Sequence, residues 1–253
     1  MEFEGKTAVI TGGAMGIGFA CAQMLYTRGA SVVVADVNAE EGAAAAAQLG
    51  DRARFVATDM RDMNAVQAMA DTAADVFGGV DILINNAAIA LDGVVDEIDE
   101  DRWTTVIDTN LTGYWRAMRV CVPMMRARGG GAVVNMSSVQ GLRGFRGWPA
   151  YAAAKGGVNA LTVQAAVDLA PAGIRVNAVA PGTIMTPLNE KIFATRPDAE
   201  ELIETWNAAH PLGRFGQPEE VAELAVFLAS DKAGFITGEV VRVDGGLAMK
   251  AER

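Results

Sequence analysis

Two side chains able to move protons lie one helical turn apart in Pro149-Ala150-Tyr151-Ala152-Ala153-Ala154-Lys155-Gly156-Gly157. At positions i and i+4 of a helix, the Tyr151 phenol and the Lys155 ammonium share one face. A free tyrosine titrates near ~10, too high for ready proton exchange at neutral pH. A cation beside it favours the phenolate and lowers that value, giving a general acid/base suited to interconverting an alcohol and a ketone. The small neighbours leave room for a flat ring and a substrate against this face, and for another helix behind it.

Such a pair needs a cofactor brought to it, and the start of the chain offers a place for one. Thr11-Gly12-Gly13-Ala14-Met15-Gly16-Ile17-Gly18 joins an apolar strand, 6–11, to a helix, 16–29, whose stripe is Ile17, Ala20, Cys21, Met24 and Leu25. Glycines at 12, 16 and 18 permit a tight turn, close approach of a pyrophosphate and a helix starting near the sheet. The helix N-terminus then offers amide protons and a positive dipole to the anion. Gly12, Met15, Gly16, Ile17 and Gly18 are the expected contacts. Asp36 ends the second strand, 18 residues beyond Gly18, where a carboxylate accepts from ribose hydroxyls. No arginine or lysine occurs in Asp36-Val37-Asn38-Ala39 to receive a 2′-phosphate, so NAD is expected rather than NADP.

The elements that must position these groups follow from hydrophobic period. Strands are expected at 6–11, 31–36, 52–57, 81–85, 131–137, 174–180 and 239–243, with helices at 16–29, 39–49, 62–78, 101–127, 150–171 and 217–230. Alternation of strand and helix requires parallel strands, and strand cores apolar throughout require helices on both faces. The expectation is an α/β fold of one domain over 1–253: a doubly wound, Rossmann-like parallel sheet of about seven strands.

Composition narrows the partners. A net charge of −10 gives no electrostatic support for nucleic acid or an anionic membrane. With no basic, apolar leader and no uncharged run of spanning length, a cytoplasmic protein is expected. Cys21 and Cys121 read as buried thiols, and no metal is required. His210, the only histidine, sits beside Pro211 in an expected loop and reads as structural or substrate-facing.

Taken together, Thr11-Gly12-(x)3-Gly16-x-Gly18, Asn85-Asn86-Ala87, Asn110, Ser138, Tyr151-(x)3-Lys155 and Pro181-Gly182 resemble the short-chain dehydrogenase/reductase family over nearly the whole chain. The resemblance implies that Tyr151 transfers the proton and Ser138 holds and polarises the substrate oxygen. It implies that Lys155 binds the nicotinamide ribose and lowers the tyrosine pKa, and that Asn110 holds a relay water. Ser138 is chosen over Ser137 because the family places its serine 13 residues before the tyrosine. Asp59 and Met60 resemble the segment touching the adenine, and Asn86 and Ala87 the one backing the cofactor. Pro181, Gly182, Ile184 and Thr186 resemble the carboxamide-binding segment. Ala88 stands where the family often has glycine.

The implied reaction is NAD(H)-dependent hydride transfer between a secondary alcohol and its ketone. A 3-oxoacyl thioester reductase and a non-catalytic NAD-binding regulatory protein are the alternatives. Substrate choice is expected in Val139–Ala150 and in a lid at 187–213. Arg143 and Arg146, beside Phe145 and Trp148, suit an anionic or hydroxyl-rich substrate; a solvated loop is the plainer reading. Helix 150–171 is apolar nearly all round, so its second face is expected against a partner subunit. The resemblance suggests a homotetramer built partly on it and on helix 101–127.

Overall fold

The structure, a computed structural model, describes residues 1–194 and 196–250. Thr195 of the expected lid and residues 251–253 of the expected domain lie outside the described residues. The strands are β1 (Thr7–Thr11), β2 (Ser31–Asp36), β3 (Ala53–Ala57), β4 (Ile82–Asn85), β5 (Gly131–Met136), β6 (Ile174–Pro181) and β7 (Val240–Val243). Between them run α1 (Gly16–Thr27), α2 (Ala39–Leu49), α3 (Met63–Phe77), α4 (Glu100–Ile107), α5 (Gly113–Ala127) and α6 (Pro149–Leu169). The last crossover holds α7 (Pro187–Ala194), α8 (Ala199–Ala209) and α9 (Pro218–Ala229).

All seven strands are parallel, in the order β3-β2-β1-β4-β5-β6-β7. Ile10 of β1 pairs with Val34 on one side and Ile84 on the other. The chain therefore leaves β1 in one direction and later returns to its other edge. The loops after β1 and β4 diverge, opening the crevice at which such sheets bind ligands.

Alternate residues of each strand serve opposite layers. Ala8, Ile10, Val34 and Ile84 pack with Leu25, Val221 and Val226, from α1 and α9, whereas Val9, Val33 and Leu83 pack with Met69, Ala117 and Cys121, from α3 and α5. Burial in these layers pushes the Cys21 and Cys121 thiols up to about 12, which suits inert packing groups.

Short-range signals set the helix starts. Asn38 accepts from Glu41 N at the head of α2, Asp62 from Asn64 N at α3, and Asp99 from Arg102 N at α4. Pro149 and Pro218 begin α6 and α9, where a missing amide proton costs nothing.

One expectation is corrected. The helix expected over 101–127 is interrupted by a π-turn at Asp108–Thr112 that separates α4 from α5. The buried Asn110 lies in this turn, its amide accepting from Ile89 N at 2.9 Å and donating to Ile89 O at 2.8 Å. Gly113 packs so closely on the loop after β3 that a Cβ there would stand 2.8 Å from Met60 Cβ. Hydrophobic period cannot register one extra residue per turn. The remaining expected ends agree to within two residues.

Candidate active site

The glycine turn after β1 is shaped by contacts that leave no room for side chains. Gly12 and Gly16 have φ of 62° and 55°, in the left-handed region that glycine adopts freely. A Cβ on Gly18 would stand 2.0 Å from Gly12 O. Asn86 Nδ2 donates to Thr11 O and Gly12 O, at 3.2 and 2.9 Å, and Thr11 Oγ1 accepts from Asn86 N and Ala87 N. Asn86 and Ala87 thus brace the turn, as a segment backing a cofactor must. No side chain caps α1, and its first turn holds no acidic residue, so its leading amides remain available to an anion.

Asp36 stands at the end of β2, accepting from Ala14 N at 3.1 Å and Asn38 N at 3.0 Å. Its carboxylate is thereby pinned to the edge of the turn. Asp59 also lies here, paired with Arg61 Nη2 at 2.7 Å, which holds its carboxyl below the usual range. Met60 is buried and gives its carbonyl to Arg116.

From Asp36 and Asp59 a continuous cavity of about 800 Å³ passes the glycine turn to Ser138, Tyr151 and Lys155. This volume suits a cofactor or drug-sized ligand. The cradle and the helix end match a dinucleotide pyrophosphate, and the cavity reaches the proton-carrying groups beyond it.

Tyr151 and Lys155 project from one face of α6, with Lys155 Nζ 5.5 Å from the Tyr151 ring centroid. Lys155 is deeply buried and Tyr151 partly so, and burial penalises whichever form is charged. It pushes the phenol up to about 12, opposed by a hydrogen bond with the Ser138 side chain, and the ammonium down to about 7. The lowering expected from a neighbouring cation is therefore not found here: desolvation dominates the phenol, and Lys155 is turned elsewhere. Its Nζ donates to Met136 O at 2.6 Å and to Tyr114 Oη at 3.2 Å.

Ser137 and Ser138 separate as their spacing requires. Ser137 Oγ donates to Asn159 Oδ1 and Lys155 O in α6, while Ser138 Oγ accepts from Gln140 N and meets Tyr151. Asn110 ties its π-turn to the loop after β4, so its amide is already occupied by Ile89.

Pro181, Gly182, Ile184 and Thr186 line the cavity opposite α6. Thr186 Cγ2 stands 3.3 Å from where a Cβ on Gly16 would project, so this segment closes against the glycine turn. The buried His210 secures it: Nε2 accepts from Thr183 N at 3.2 Å, and Nδ1 lies 2.7 Å from Trp206 O. Both contacts are met by the neutral tautomer protonated at Nδ1. Phe193 joins α7 to α8 by meeting Trp206 edge-on, and stacks on Phe215.

Tyr114 was not among the expected site residues. Its ring is wholly buried in α5, its hydroxyl donates to Met136 O at 3.2 Å, and the same oxygen accepts from Lys155 Nζ. Only its place four residues after Asn110 hints at a role, since the contact exists through the packing of α5 against β5 and α6.

A family model described as enoyl-(acyl carrier protein) reductase matches residues 12–248. A cis-4-hydroxycyclohexanecarboxylate dehydrogenase of Sinomonas cyclohexanicum is 44% identical over 247 residues, covering 96% of this chain and 97% of its own. The 3-oxoacyl-[acyl-carrier-protein] reductase FabG of Thermotoga maritima is 38% identical over 252 residues, covering 98% and 100%. Among solved structures, the crystal structure of gox2181 superposes with a TM-score of 0.91 at 34% identity, covering 98% of this chain and 97% of that one. The two relatives' names differ in substrate, while both point to chemistry between a hydroxyl and a carbonyl group. The chain belongs to the short-chain dehydrogenase/reductase family, and is an oxidoreductase of hydroxyl and carbonyl groups that works with a nicotinamide cofactor.

Proposed function

We propose that the protein uses NAD(H) to interconvert a secondary alcohol and its ketone, with Tyr151 as the general acid/base. The observation that carries this reading is the meeting of Tyr151, Ser138 and Lys155 at one end of a cavity whose other end is the glycine turn and Asp36. When bound, the nicotinamide supplies hydride donor or acceptor chemistry, and its oxidised ring brings a positive charge that favours the phenolate.

Gly12, Met15, Gly16, Ile17 and Gly18 hold the pyrophosphate, and Asp36 the adenosine ribose. Asp59, Met60, Asn86 and Ala87 line the route between; Pro181, Gly182, Ile184 and Thr186 bed the nicotinamide. Asp36 argues for NAD, because a fixed carboxylate would repel a 2′-phosphate. Ser138 orients the substrate oxygen toward Tyr151. In oxidation Tyr151 takes the hydroxyl proton, and in reduction it returns one. Lys155 holds the ribose and hands protons outward, a task suited to an amine brought near 7. Asn110 supports this relay by fixing the π-turn beside α6.

We read α7 and α8, within 187–213, as the substrate lid on the one catalytic domain. The exposed Val163 and Val167 of α6 and Trp115 of α5 support a homotetramer packed through these helices. We take the enzyme to be cytoplasmic; among the described residues no helix is long and apolar enough to cross a membrane.

Tyr151→Phe tests the reading through NADH formation over a panel of alcohols. Turnover should fall by ~10²–10⁴, the range of lost acid–base catalysis, with NAD binding retained. Wild-type turnover in the variant would overturn it.

A further inference from the structure

The two ends of the cavity differ in charge. The carboxylates in its wall, Asp36 and Asp59, both lie at the nucleotide end, where Arg61 is committed to Asp59. Past Tyr151 the described wall is largely apolar, with Val139, Phe145, Trp148, Trp206 and Leu247, and holds no carboxylate. Beyond Lys155 its one cationic side chain is Arg146.

Arg146 is exposed and makes no hydrogen bond or ion pair with any described residue. Its neighbour Arg143 is held by Leu247 O and Lys250 O. The loop beneath Arg146 is fixed: Gly147 O accepts from Gly93 N at 3.0 Å, and Pro149 begins α6 two residues later. Tyr151 lies five positions after Arg146, and both line the same cavity. Gln140 Oε1, in that wall, is buried without a partner among the described residues.

An unpaired guanidinium above aromatic and aliphatic walls is suited to an anion with an apolar body. One planar fork matches a carboxylate in bidentate fashion.

We propose that the substrate is a carboxylate-bearing secondary alcohol, or the corresponding oxo acid, whose carboxylate is received by Arg146 while its oxygen at the other end meets Tyr151 and Ser138. This rests on the oxidoreductase reading for the second half of the contact, and supplies the substrate class that reading leaves open. The solvated-loop reading of Arg146 does not account for its place on the cavity wall.

Calorimetric titration of the NADH-saturated enzyme with cyclohexanecarboxylate and with its methyl ester tests the carboxylate contact. Neither compound carries a reactive hydroxyl, so the result is independent of turnover. The acid should bind roughly tenfold or more tightly than the ester, the scale of a hydrogen bond to a charged group. That preference should shrink as salt rises, vanish in Arg146→Gln and largely persist in Arg146→Lys. Equal affinity for acid and ester, no binding of the acid, or a preference that survives Arg146→Gln would overturn the proposal. Loss of the carboxylate contact would leave the hydride chemistry standing, whereas wild-type turnover in Tyr151→Phe would remove that chemistry and leave this binding result intact.

Discussion

On the proposed function, the nucleotide end of the cavity is shaped by close main-chain approach at the glycine turn, whereas the substrate end is built from side chains carried by separate segments: 139–148, α7, α8 and Leu247. At the first, a single methyl group is intolerable at Gly18. At the second, walls such as Phe145, Trp148 and Trp206 can change shape without disturbing the sheet. The contrast fits relatives of this chain named for substrates as different as a hydroxycyclohexanecarboxylate and a 3-oxoacyl-[acyl-carrier-protein]. Binding of the shared cofactor is carried by the fold, and choice of substrate by replaceable lining.

The largest effect expected from challenging this contrast comes from Gly18→Ala. Its Cβ would fall 2.0 Å from Gly12 O and 2.6 Å from Asn86 Nδ2, so the turn must open. Fluorescence titration should show NADH binding lost or severely weakened; unchanged affinity would show that the turn is adaptable. Next comes Asp36→Ala, which should narrow the ratio of kcat/KM for NAD over NADP by roughly tenfold, the scale of one charge-assisted contact. An unmoved ratio would place cofactor selection elsewhere.

Smaller effects are expected around Lys155. The Tyr114 hydroxyl accepts from its ammonium and so favours the charged form. Tyr114→Phe should move the limb of the pH–rate profile that reports Lys155 to lower pH, with little change in KM. A uniform loss of rate with no pH displacement would mean that Tyr114 only fills space. Stability offers another measure. Lys155 falls to about 7 in the folded protein, so between there and the unfolded value near ~10.4 the unfolded chain binds the extra proton. Stability from this group therefore rises with pH across that window and is lost on descent through it. Lys155→Met should become steadily more stable relative to wild type as pH falls from 10 toward 7, read as a difference in Tm of a few degrees. A pH-independent difference would contradict the buried ammonium.

Sequence reveals these regions unequally for the same reason. Gly12, Gly16, Gly18 and Asp36 lie in one strand–turn–helix–strand run, so spacing alone discloses what they can bind. Tyr151 and Lys155 are likewise readable, being one turn apart on α6. The break at Asp108–Thr112 was not legible, because it depends on Asn110 meeting Ile89 across the fold. Nor was the Tyr114–Met136–Lys155 cluster, which joins α5, β5 and α6. The same limit applied to the phenol's proton affinity: proximity to a cation can be read from four-residue spacing, but the dry surroundings that dominate cannot. For Arg146, the loop sequence showed a charge, and only the assembled wall shows that no carboxylate of the described residues pairs with it.

The imidazole of His210 clasps the last turn of α8 at one edge and the backbone just after β6 at the other. On the proposed function, the roof over the substrate and the bed beneath the nicotinamide thus hang from a common peg, so reactant entry and coenzyme departure share a mechanical linkage.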